Sequence, residues 1–145
     1  MRVVLQRVTR ALVRVEETTV ATIDRGVVLL VGVARGDEAP AAERLAAKIA
    51  RLRVFEGGSS SFARTLADVG GEALVVSQFT LLADVARGTR PSFSDAATPE
   101  LAEPLYEAFC AALRAQGVAV AAGVFGARMQ VELVNDGPVT IVADA

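Results

Sequence analysis

The sequence predicts an α+β domain: a mixed, barrel-like sheet of about seven or eight strands with two main helices over one face. Three observations point to that class. The chain has 145 residues, 52% hydrophobic and 22% charged, enough for one domain spanning 1–145 with a core of its own. Short runs rich in Val, Ile and Thr recur between Gly, Pro, Asn and Asp turn signals. Two longer stretches instead space their apolar residues three and four apart, as one face of a helix requires.

Residues 2–15 are β-branched and mostly alternating, which predicts a long strand. Glu16-Glu17 turns the chain into a second strand over Thr18–Ile23, and Asp24-Arg25-Gly26 is the next turn signal. Residues 27–33 are an almost unbroken apolar run and read as a strand buried on both faces. The first helix begins around Asp37 and Glu38, with Pro40 suited to its first turn. Leu45, Ile49 and Leu52 predict its buried face. Residues 57–61, Gly-Gly-Ser-Ser-Ser, read as a flexible loop. Gly70-Gly71 precedes a strand over residues 72–79, and residues 83–97 read as irregular. Thr98-Pro99-Glu100 supplies a capping hydroxyl, a proline for the first helical position and an acid for the first turn. Leu101, Leu105, Ala108, Phe109 and Ala112 predict the inner face of that second helix, and Gly117 its end. Strands follow over residues 118–122 and 129–134, separated by a bend at Gly123 and Gly126, and the last strand covers residues 139–142.

Composition removes several kinds of chemistry. The chain has no His, so His-based triads and His-ligated metal sites are excluded. One cysteine, Cys110, allows neither an intrachain disulfide nor a multi-cysteine cluster, and it reads as a small apolar helix residue beside Phe109. Arg2, Arg7 and Arg10 interrupt the first apolar stretch, so no signal peptide is predicted. The run over residues 27–33 falls far short of the roughly 20 residues that cross a bilayer, and the expected location is the cytoplasm. Net charge is −2, and 14 of the 15 basic residues are Arg. A nucleic-acid ligand would therefore depend on a local arginine cluster rather than on bulk charge.

Two segments stand out from the pattern of core and turn. In Ser77-Gln78-Phe79-Thr80-Leu81, an apolar strand ends in three polar side chains around one aromatic. A strand running out to the surface accounts for this as ordinary composition. The alternative is a platform of hydroxyl, amide and backbone N–H groups able to hold a carbonyl oxygen as it gains charge. In Asn135-Asp136-Gly137-Pro138-Val139-Thr140, the local chemistry favours a hairpin turn. A Gly-Pro step also presents bare carbonyls to a ligand. A third stretch, Arg87-Gly88-Thr89-Arg90-Pro91-Ser92, reads either as a solvated loop or as a phosphate contact.

Ser-Gln-Phe-Thr-Leu followed by Asn-Asp-Gly-Pro-Val-Thr resembles the paired signature of the D-aminoacyl-tRNA deacylases. The likeness extends to Met-Arg-Val-Val-Leu-Gln-Arg-Val at the start, to Leu30-Val31-Gly32-Val33 and to Arg90-Pro91-Ser92-Phe93-Ser94-Asp95-Ala96-Ala97. It also includes Gly123-Val124-Phe125-Gly126 with Met129, so it covers nearly the whole chain. The resemblance implies a homodimer that cleaves the ester between a D-amino acid and the 3′-terminal adenosine of tRNA, with no cofactor and no metal. Ser77, Gln78, Phe79 and Thr80 would form the catalytic pocket, with Met129 near the adenosine. The resemblance further implies a cis Gly137-Pro138 bond entering the partner's site, flanked by Asn135, Val139 and Thr140 and supported by Arg7. Three positions depart from the family pattern: Leu12, the segment over residues 57–64, and Arg128 ahead of Met129.

With no histidine base, a Ser77 or Thr80 nucleophile would lack its usual activation. An aminoacyl ester is already reactive, so positioning and oxyanion stabilisation suffice. The Phe79 N–H is the expected donor, and the substrate's own 2′-hydroxyl the group that orients water. Gly137 and Pro138 carbonyls would exclude an L side chain by crowding, which leaves glycyl-tRNA a substrate. Two competing readings are a non-catalytic dimeric module that holds a tRNA end and a small-molecule hydrolase or deaminase.

Overall fold

The computed structural model describes residues 1–145. Its sheet is organised around β1 (Arg2–Val15), which the alternating, β-branched N-terminal segment predicts. After a turn at Glu16-Glu17, both at positive φ, come β2 (Thr18–Ile23) and β3 (Gly26–Gly32). Both pair antiparallel with the same edge of β1, β3 beside residues 2–8 and β2 beside residues 11–15. The chain then crosses through α1 (Ala39–Arg51) and the hairpin β4 (Phe55–Gly57) and β5 (Ser60–Arg64). It returns in β6 (Glu72–Ser77), parallel to β3. A second crossover through α2 (Pro99–Ala115) places β7 (Ala119–Ala122) parallel to β6. The last strand, β8 (Gln130–Asp144), lies antiparallel along the free edge of β1. The result is the expected α+β arrangement, a mixed sheet curling towards a barrel.

Burial explains the unbroken apolar strands. Val27, Leu29 and Val31 of β3 and Ala73 and Val75 of β6 pack under the helices with Leu45, Ile49, Phe109 and Leu113. Their neighbours Val28, Leu74 and Val76 point the other way, into a smaller core with Val8, Ala11, Val13 and Ile23. A strand that lies between two cores has no polar side to alternate. Tyr106 ties α2 to the sheet by donating its hydroxyl to the Val75 carbonyl at 2.8 Å. Burial holds the phenol well above its ordinary pKa. No helix is long and apolar enough to cross a membrane.

Four local expectations are corrected. Residues 57–61 are not a flexible loop: the glycines mark the tip of the β4–β5 hairpin, with Phe55 paired to Arg64 and Gly57 to Ser60. Buried Phe55 fixes that hairpin, with the Arg25 guanidinium 5.3 Å above its ring. The buried face of α2 runs through Ala102, Tyr106, Phe109, Cys110 and Leu113, whereas Leu101 is 62% exposed. A stripe through Phe109 can be drawn one residue to either side at helical spacing, and the sheet meets the Tyr106 side. Thr98 stands at the cap of α2 but its hydroxyl makes no capping bond; its carbonyl receives the Leu101 and Ala102 amides instead. Leu52 lies just beyond the end of α1 rather than within it, half-buried against the same core as Leu45 and Ile49.

Candidate active site

The strand predicted over residues 72–79 ends at Ser77, opposite Val31 of β3. Gln78 makes one more link, its amide donating to the Val31 carbonyl at 2.8 Å. The chain then coils into a single 3-10 turn over Phe79–Leu82. Gly32 allows that turn to fold back: a Cβ there would lie 2.5 Å from Leu82 Cδ2 and 3.0 Å from the Gln78 carbonyl oxygen. The opening amides of any helical turn have no acceptor within it, so the Phe79 N–H begins the turn with no partner inside it. Gln78 Nε2 donates to Thr80 Oγ1 across the turn.

Ser77, Gln78 and Phe79 form one wall of a cavity of about 570 Å³. Phe93, Phe125 and Met129 contribute to the remainder. Phe79 is 55% exposed and meets Phe93 edge-on, with ring centroids 5.1 Å apart and planes at 67°. Thr80 does not line the cavity; its hydroxyl acts on Gln78. Phe93 and Phe125 both belong to motifs shared with the family, yet neither carries a signal of its own in the sequence. Their place in the wall depends on the α2 crossover and the β7–β8 bend, which no local pattern specifies.

The second segment is not a hairpin turn. β8 is one strand, and the two strands expected over residues 129–134 and 139–142 are its halves. Its register against β1 jumps from Thr140 opposite Gln6 to Asn135 opposite Val8, so residues 136–139 bulge out opposite Arg7. The Gly137-Pro138 bond is cis, and Gly137 has φ +119°. Asn135 closes the base of the bulge, its Nδ2 donating to the Arg7 carbonyl at 2.9 Å and to the Val139 carbonyl at 3.1 Å. Thr140 Oγ1 donates to Asn135 Oδ1 at 3.3 Å and accepts from Gln6 Nε2 at 3.3 Å.

Arg7 stands behind this bulge and is only 5% exposed. Its guanidinium donates to the Val54 carbonyl at 2.8 Å and to the Asp136 carbonyl at 3.3 Å, with the Asp136 carboxylate 3.3 Å from Nε. Arg7→Met would fill similar space but leave those carbonyls without a donor. The expected cost is about 2 kcal/mol, read as a lower urea midpoint at constant m-value. An unchanged midpoint would mean that the bulge holds itself in place.

Within one chain the two segments are not brought together. The bulge is level with Val27 of β3 and Ala73 of β6, four residues from Ser77 along β6. At strand geometry that is roughly 13 Å along the strands and about 14 Å across three strand spacings. Gly137 and Pro138 are instead exposed on the surface.

The three departing positions lie outside both segments. Leu12 is half-buried on β1 opposite Glu132, and the segment over residues 57–64 lies on the β4–β5 hairpin. Glu132 itself pairs with Arg14 at 2.8 Å and Arg10 at 3.2 Å, which holds its carboxyl below the usual range. Arg128 is exposed between Ala127 and Met129, two residues of the cavity wall.

A family model described as D-Tyr-tRNA(Tyr) deacylase matches residues 4–144. A D-aminoacyl-tRNA deacylase of Thermomicrobium roseum is 59% identical over 145 residues, covering 100% of this chain and 94% of the relative. Another from Roseiflexus castenholzii is 57% identical over 100% of this chain and 92% of its own length. Among solved structures, the c-Myc DNA Unwinding Element Binding Protein superposes with a TM-score of 0.93 at 40% identity, covering 100% of this chain and 99% of that one. A probable eukaryotic D-amino acid tRNA deacylase has the same fold, with a TM-score of 0.84 at 20% identity over 99% of this chain and 98% of that one.

Proposed function

Because the chain belongs to the D-Tyr-tRNA(Tyr) deacylase family, we propose that its cavity hydrolyses the ester joining a D-amino acid to the 3′ end of tRNA. The observation that carries the chemistry is the strand-end turn in the cavity wall. Phe79 opens that turn next to Ser77 and Gln78, all three in the cavity wall, and in this reading its amide faces the ester. Water adds to the ester carbonyl carbon, the carbonyl oxygen becomes an oxyanion, and the Phe79 N–H donates a hydrogen bond to it. Collapse expels the ribose 3′-oxygen, which takes up the proton that water loses. One such donor contributes about 2.7–4 kcal/mol to the transition state. Thr80 is already engaged by Gln78 and stands outside the cavity lining, which favours a bracing role over attack on the ester.

No base is available from histidine, so the ribose 2′-hydroxyl orients the water. D-Tyrosyl-tRNA should be hydrolysed rapidly and L-tyrosyl-tRNA spared when both are followed by release of labelled amino acid. A D-tyrosyl-tRNA ending in 2′-deoxyadenosine should not react, and full turnover of it would overturn this mechanism. Thr80→Ala should keep substantial activity, and glycyl-tRNA, which has no side chain to exclude, should be cleaved measurably. Binding of D-tyrosyl-tRNA without loss of the ester would instead favour a non-catalytic module.

The chiral filter in this reading is the Gly137-Pro138 bulge of a second copy. Its exposure and its distance from Ser77 within one chain support a site completed across a two-fold dimer.

A further inference from the structure

The cavity is large enough for an amino acid esterified to a nucleoside, since sites for such ligands span about 300–1,000 Å³. The phosphates that follow the nucleoside must then emerge at its mouth. A short loop stands there. Asp84 and Ser92 exchange two backbone bonds, Asp84 N to Ser92 O at 2.7 Å and Ser92 N to Asp84 O at 2.9 Å. The chain between them reverses at Gly88, which has φ +66°. The residue after this stem is Phe93, part of the cavity wall and packed on Phe79. The foot of the loop is therefore the rim of the site.

The loop carries Arg87 and Arg90, both exposed and neither within an ion pair. The nearest acids in sequence are Asp84 and Asp95, and neither pairs with these arginines; the Asp84 carboxylate instead accepts the Ala86 amide at 2.9 Å. Two exposed guanidinium groups beside the site are thus left without a carboxylate partner. Arginine's planar fork suits phosphate oxygens.

We propose that Arg87 and Arg90 hold backbone phosphates of the single-stranded RNA end whose terminal ester occupies the cavity. This rests on the ester-hydrolase reading and adds the contact that separates an RNA ester from a free nucleoside ester. The contact carries no base information, so it would serve many tRNAs alike.

The test compares two substrates: D-tyrosyl-tRNA and the phosphate-free ester 3′-O-D-tyrosyl-adenosine. The reported quantity is the ratio of their kcat/KM values, for the wild type and for the doubly substituted Arg87→Ala, Arg90→Ala protein. Each phosphate contact on a single strand contributes a salt slope of about 0.7. Lowering salt from about 200 to about 50 mM should raise the wild-type ratio roughly sevenfold more than the variant's. Replacing both arginines with Lys should restore most of the salt dependence, which a purely structural role would not predict, and melting temperatures should agree. Equal ratios and equal slopes in wild type and the Ala variant would overturn the inference while leaving the hydrolase reading intact. Failure of the wild type to cleave either ester would instead remove the hydrolase reading on which it rests.

Discussion

Phe79→Pro is expected to lower kcat on D-tyrosyl-tRNA by about 10²–10³-fold, whereas Phe79→Ala should lose far less. The substitution deletes one atom pair that matters, the backbone N–H at the start of the turn. Proline is tolerated at the first position of a helical turn, where the N–H has no intrahelical partner to lose. The preceding residue, Gln78, has φ −144° and ψ 81°, outside the α region that a following proline disfavours. The turn should therefore persist. Ala at the same position keeps the amide and removes only the ring, with its edge contact to Phe93. Single-turnover rates on saturating enzyme separate the two effects, because loss of the ring acts on binding and loss of the amide on the chemical step. Equal rates for the two variants would place the oxyanion elsewhere.

Backbone chemistry of this kind explains what could be read from sequence. Residues 2–15, 18–23 and 27–33 declared themselves as strands through β-branched runs, and Pro40 and Pro99 marked helix starts through their fixed φ. These are local signals. The α2 face was not local in this sense: its choice between the Leu101 and Tyr106 sides was made by the Val75 carbonyl and the sheet below. The Gly57-Gly58 hairpin was hidden for a related reason, since Gly and Ser describe its tip while buried Phe55 fixes its stem. Within the site, the Ser77–Thr80 platform and the Gly137-Pro138 segment were visible as motifs. What they look like was not. The first is a strand end closed by a 3-10 turn; the second is a bulge in a continuous strand, made by a register jump against β1. The Val54 carbonyl that receives Arg7 lies 47 residues away, and no periodicity links the two.

Gly137→Ala should reduce kcat/KM for D-tyrosyl-tRNA by about 100-fold, the scale expected when a positioning element shifts by about 1 Å. At φ +119° a Cβ is strained, and it would lie 3.0 Å from Val139 Cγ2 and 3.1 Å from an Arg7 terminal nitrogen. Arg7 is held by the Val54 carbonyl and cannot retreat freely, so the bulge must move. The defect should complement that of Phe79→Pro. In a two-fold dimer with crossed sites, a mixed pair joins the intact platform of one chain to the intact bulge of the other. Random exchange makes half the dimers mixed, each with one working site of two, so mixing two nearly inactive proteins should restore about a quarter of wild-type activity. If each chain instead supplied its own bulge to its own platform, every site in every dimer would remain defective and mixing would restore nothing. Recovery after subunit exchange thus reads directly whether the roughly 13 Å and 14 Å offsets within one chain are bridged by the second copy.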